Sequence, residues 1–170
     1  IYVAALLHDI GKGFGKGHSD RGAVMSETIC ERFSYNEDSK ELIYFLIKEH
    51  LTMSGFSQKR DMDDMELIDE FRKRIKTIEK LDYLFILTFC DLRSVASDVW
   101  SDWKGNLLRL LYKKTFSMMT KKTQRKGLKN SKNIKLDFLY RNLDQISWQY
   151  CNKGFFNFKN YIPKIISSFN

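Results

Sequence analysis

Apolar residues recur at intervals of three and four along most of this 170-residue chain, with charged positions between them. Ala23, Ile29, Cys30 and Phe33 fall on one face of a helix, and Leu42, Phe45, Leu46 and His50 on one face of another. Met65, Ile68, Phe71, Ile75 and Ile78 repeat in the same way. Leu84, Leu87, Thr88, Asp91 and Val95 share a further face, and a last clear helix is predicted from about Asp102 through Leu107, Leu108, Leu111 and Tyr112. Strand-like alternation is scarce and no internal repeat is visible. Breaks are predicted at Gly11–Gly17, Ser34–Ser39, Thr52–Gln58 and Thr120–Asn133, where glycine and polar residues interrupt the pattern. The fold class is therefore all-α: a helical domain over 1–119, a basic linker over 120–133 and a helical tail over 134–170.

Composition narrows the picture. Hydrophobic content of 43% and aromatic content of 14% belong to a folded chain. A single proline, Pro163, leaves long stretches free to be helical. No apolar run approaches the ~20 residues a membrane span needs, and no signal peptide is visible. Cys30, Cys90 and Cys151 are odd in number and widely spaced, which reads as reduced thiols in a cytoplasmic protein. The chain opens on Ile1 and runs straight into Tyr2-Val3-Ala4-Ala5-Leu6-Leu7, as a piece of a longer chain would, with its first helix already under way.

Charge is unevenly placed. Residues 1–103 carry 14 Lys+Arg against 19 Asp+Glu, whereas residues 104–170 carry 15 against 2. Lys121 to Lys135 holds seven basic residues and no acidic one. Such a run can contact nucleic acid. No DNA- or RNA-binding signature accompanies it, so a solvated linker is the preferred reading.

The candidate chemistry lies in the acidic half. The chain has three histidines, His8, His18 and His50. His8-Asp9 sits in Leu6-Leu7-His8-Asp9-Ile10-Gly11-Lys12. Neighbours on a helix point about 100° apart, so a His-Asp pair shares a ligand best at a helix end. The glycines that follow supply such an end. The loop Gly11-Lys12-Gly13-Phe14-Gly15-Lys16-Gly17 lacks the spacing of a P-loop and follows a helix rather than a strand. It reads instead as a tight turn that returns His18 to the site, with Lys12 either facing a phosphate or in solvent and Lys16 in solvent. Asp91 shares a face with leucines and must find a cation or hydrogen bonds there. Imidazole and carboxylate together suit a divalent metal, with manganese, magnesium, iron, cobalt and zinc all compatible.

The series Leu7-His8-Asp9-Ile10-Gly11-Lys12-Gly13, His18-Ser19 with Gly22-Ala23, and His50-Leu51-x-Met53-Ser54 resembles the HD superfamily of metal-dependent phosphohydrolases. Gln58-x-Arg60-Asp61-x-Asp63-Asp64, Leu87-Thr88-x-x-Asp91-Leu92-Arg93 and Trp100-x-x-Trp103-Lys104 narrow the resemblance. They point to the HD domain of the bifunctional PII uridylyltransferase/uridylyl-removing enzymes, as does Leu107-Leu108-Arg109-x-Leu111-Tyr112. The resemblance covers residues 1 to about 112. It implies an HD-domain helical bundle that hydrolyses the uridylyl-tyrosine phosphodiester on uridylylated PII and releases UMP, with glutamine as effector. It also implies His8, Asp9 and Asp91 as metal ligands, with magnesium or manganese the expected ion. His18 and His50 would complete that site, hold a second ion or hold the phosphate. Lys12 would add catalytic positive charge, and Arg60 would contact nucleotide or PII, or pair with Asp61 or Asp64. One further family histidine would precede Ile1, as would the nucleotidyltransferase domain, with the regulatory domains downstream. Two other readings stay open: an HD phosphohydrolase acting on free nucleotides, and a non-catalytic module binding nucleic acid or a partner through the basic tail.

Overall fold

Seven α-helices and one 3₁₀ turn make up the described residues, 1–58, 62–95 and 101–124, of a computed structural model. Among them there is no strand. The helices are α1 (Tyr2–Leu7), α2 (His18–Arg32), α3 (Glu37–Glu49), α4 (Thr52–Ser57), α5 (Met65–Ile75), α6 (Ile78–Val95) and α7 (Asp102–Gln124). The 3₁₀ turn, Lys12–Phe14, lies between α1 and α2. One compact unit spans Ile1–Lys122; of the second, Thr123–Asn170, only the end of α7 falls among the described residues. No described helix is long and apolar enough to cross a membrane.

Local chemistry sets several boundaries. Asn36 accepts a hydrogen bond from the Ser39 amide and starts α3, and Asp64 accepts from the amides of Glu66 and Leu67 and starts α5. Both cover amides that a helix start leaves without a partner. α3 is the hub, packed on α1, α2 and α6, while α4 and α5 close over α6. Ala23, Leu46, Ile47, Ile68, Phe71, Leu81, Leu84, Leu108 and Leu111 are buried between these helices. The periodic faces were therefore read correctly at their centres.

At their edges they were not. Phe33 and Met65 are 74% and 60% exposed. Phe33 is the residue that ends α2 and Met65 is the first of α5. Side chains at helix ends overhang the core. The expected break at Thr52–Gln58 is helix α4, with Met53 and Phe56 buried beneath it. α7 also continues past Thr120 to Gln124, with Met119 buried and the Thr120 hydroxyl bonded to the Phe116 carbonyl.

The periodic run through Ile75 and Ile78 conceals a real break. Lys76 has φ 71° and ψ −43°, and the Thr77 amide donates to the Ile75 carbonyl at 2.9 Å. This is a γ-turn of the strained hand, held by a residue with a Cβ. Lys76→Gly is expected to stabilise the chain by about 1 kcal/mol, read as a rise in Tm.

Between α6 and α7 the Tyr112 hydroxyl donates to Asp82 at 2.7 Å. Burial pushes the Asp82 carboxyl up to about 6 against the opposing effect of that bond. The folded chain thus holds this proton more tightly than the unfolded chain does. Stability from this group is full below about pH 4 and is lost as pH rises through about 6. Asp82→Asn should flatten that slope and add on the order of 1 kcal/mol at neutral pH, the site being partly screened by solvent. Urea melts between pH 4 and 7 would show it.

Candidate metal centre

Three helix ends and one helix face build the site. His8 stands at the C-terminal end of α1 with helical backbone angles, and Asp9 follows as the chain leaves the helix. The amides of Ile10, Lys12 and Phe14 bond to the carbonyls of Leu7, Asp9 and Gly11, three residues back, so the chain tightens into successive short turns. Gly17, with φ 77°, then takes the left-handed conformation that lets His18 open α2. His50 ends α3 in the way His8 ends α1. Asp91 lies in the last two turns of α6.

The two helix-ending histidines share one device. His8 Nδ1 donates to the Ala5 carbonyl and His50 Nδ1 to the Ile47 carbonyl, each at 2.7 Å and three residues back. A proton held on Nδ1 leaves the Nε2 lone pair free, and both Nε2 atoms turn toward Asp9. Asp9 faces two ways. Its Oδ2 lies 3.2 Å from His8 Nε2 and accepts a hydrogen bond from Lys12 Nζ at 2.6 Å. Its Oδ1 lies 3.7 Å from both His18 Nε2 and His50 Nε2. The two latter nitrogens are 3.4 Å apart. Asp91 Oδ1 closes the other side, 3.4 Å from His8 Nε2.

Charge and burial act differently on the two rings. Pairing with Asp91, then burial working against it, then the Ala5 carbonyl and the Asp9 charge, leave His8 above its ordinary value. The His8–Asp91 approach is an ion-pair contact without hydrogen-bond alignment, since His8 Nε2 is buried and has no hydrogen-bond partner. The same pairing holds the Asp91 carboxyl below the usual carboxylate range. Burial dominates at His50 and keeps its imidazole low, hence neutral.

These donors fit a divalent cation. Ligand atoms of Asp9, His18 and His50 lie within 4.8 Å of one another. His50 Nε2 is an acceptor aimed at another ring nitrogen, an arrangement that calls for a proton or a cation between them. The His8 Nε2, buried and without a hydrogen-bond partner, lies between two carboxylates, a position that a proton or a cation would fill. Mixed nitrogen and oxygen donors suit first-row metals and magnesium alike.

The five residues singled out as ligands are thus brought together. Asp91 is only partly buried, facing the site edge rather than the core interior, because α6 presents it beside His8. The Arg93 guanidinium lies over the Phe89 ring. Lys12 reaches Asp9, and its side chain is otherwise exposed. Arg60 lies outside the described residues, as does the basic run beyond Gln124. The sequence reading missed Thr88 as a site neighbour. Its buried hydroxyl points at the His50 carbonyl, at 3.5 Å, one turn before Asp91. A lone hydroxyl in the apolar run Leu84–Cys90 was the signal available.

A family model described as HD domain matches residues 1–91. The chain is 42% identical over 115 residues to the bifunctional uridylyltransferase/uridylyl-removing enzyme of Idiomarina loihiensis. That match covers 68% of this chain and 13% of the relative's length. No solved structure matches.

Proposed function

The chain belongs to the HD-domain family, and from that premise we propose that its site is a uridylyl-removing phosphodiesterase centre, cleaving the uridylyl-tyrosine bond on PII to release UMP. The observation that carries the reading is the convergence of three histidines on the two oxygens of one carboxylate. It is supported by the similarity to a bifunctional uridylyltransferase/uridylyl-removing enzyme over 115 residues of the chain.

The site divides into two half-sites with Asp9 common to both. His8, Asp9 Oδ2 and Asp91 would hold one cation, and Asp9 Oδ1, His18 and His50 a second. Magnesium or manganese is the ion we propose. When bound, such a cation acidifies water to a usable nucleophile and neutralises the phosphoryl oxygens as negative charge builds on them. The chain's own residues do the rest. The Ala5 and Ile47 carbonyls fix the two ring orientations, so no reorganisation is needed during reaction. Lys12, tethered to Asp9, holds a positive charge at the site mouth, where it would meet a phosphate oxygen. Arg60 is proposed to contact nucleotide or PII. Glutamine would act through regions outside this chain, in the cytoplasm where we place the protein.

The test is manganese-dependent release of UMP from uridylylated PII by the 170-residue chain. Release that stops with a chelator supports the reading. Hydrolysis of bis(p-nitrophenyl) phosphate with no release from uridylylated PII would keep the phosphodiesterase and overturn the substrate.

A further inference from the structure

Gly11 has φ −82° and ψ −5°, angles that any residue adopts. Its glycine is therefore not required by the turn. The requirement is space. A Cβ at Gly11 would stand 2.1 Å from the His18 carbonyl oxygen, 2.9 Å from the Gly22 nitrogen and 3.0 Å from the His18 carbonyl carbon. All three are backbone atoms of α2, and none can swing aside as a side chain would. Gly22 meets the seam from the other side, where its own Cβ would lie 3.5 Å from the Gly11 nitrogen. Gly13, two residues on, has nothing within 4 Å.

We propose that Gly11 is the positioning residue for the half-site of Asp9, His18 and His50. Its missing side chain lets the first turn of α2 rest against the His8–Asp9 turn. That contact sets His18 Nε2 at 3.7 Å from Asp9 Oδ1 and 3.4 Å from His50 Nε2. Accommodating a methyl group requires α2 to retreat by roughly 1 Å, whereas metal–ligand distances tolerate about 0.2 Å. His8, at the end of α1, and Asp91, on α6, meet each other at 3.4 Å without a residue of α2 between them. Gly11→Ala should therefore weaken one of two ions and spare the other. This inference rests on the two-cation reading above.

Manganese titration by calorimetry on the 170-residue chain tests it, with Gly13→Ala as control. Two binding steps are expected for the original chain and for Gly13→Ala. Gly11→Ala should weaken one step at least tenfold, His18→Ala should weaken the same step, and the double variant should add nothing further. If Gly11→Ala does not fold, Gly22→Ala presses the same seam more gently, its Cβ standing 3.3 and 3.4 Å from the Cγ2 methyls of Ile47 and Ile10 and 3.5 Å from the Gly11 nitrogen. It should weaken the same step by a smaller factor. Two unaltered steps in Gly11→Ala or Gly22→Ala, or equal loss of both, would overturn the role of Gly11. No manganese binding by the original chain would overturn the metal reading and this inference with it.

Discussion

Asp9→Asn should cost the metal-dependent activity at least about a thousand-fold, equivalent to roughly 4 kcal/mol of transition-state stabilisation. The size follows from position. Among the described residues Asp9 is the one carboxylate within 3.7 Å of all three histidine Nε2 atoms, so its charge would serve both proposed half-sites at once. A metal used as a Lewis acid supplies several kcal/mol, and an amide in place of Asp9 removes the anionic bridge that would hold it. The replacement keeps shape, so the fold should survive. The diagnostic is the rise in Tm on adding manganese, driven by a stabilisation that ligand linkage puts at about 2.7 kcal/mol per ion when metal is at a hundred times its Kd. The original chain should show that rise and Asp9→Asn should not. An Asn variant that keeps both the rise and the hydrolysis would remove Asp9 from the centre.

Phe71→Ala is expected to have the largest effect on stability, a loss of about 3–5 kcal/mol. Phe71 is wholly buried in α5, its ring 5.2 Å from that of Phe56 in α4. Truncation opens a cavity that neighbouring helices cannot readily fill, because Ile68 and Ile75 on the same face are themselves fully buried. No ligand residue lies on α5, so manganese binding should persist at temperatures where the variant is folded. Denaturant melts with and without metal separate the two effects. A loss under 1 kcal/mol would mean that α5 packs less tightly than its burial indicates.

Much of this molecule was legible in advance, for reasons that differ by residue. Asp91 and His50 stood out because ionisable groups on apolar helix faces need partners, and the resemblance to HD phosphohydrolases joined His8, Asp9 and His18 to them; the structure makes the five one another's neighbours. Helix centres were legible because burial there follows the three-and-four spacing. Helix ends were not, since periodicity assigns a face without saying how far the core extends beneath it; Phe33 and Met65 illustrate this. The break at Lys76 was hidden because Ile75 and Ile78 keep helical spacing across it. Gly11 was misread most instructively. It was grouped with turn glycines, although its backbone is ordinary and its constraint is a neighbour seven residues away in sequence.

The repeated use of a histidine to finish a helix has an electrical consequence. α1 and α3 both end at the centre, and the C-terminal end of a helix carries about half a negative charge from its aligned peptide dipoles. Those ends add to the full charges of Asp9 and Asp91. The start of α2 at His18 and the Lys12 ammonium oppose them only in part. On the proposed function, a phosphodiester, itself anionic, would be repelled from that field until cations reversed its sign, so that metal loading would set substrate affinity, cation first and phosphate second.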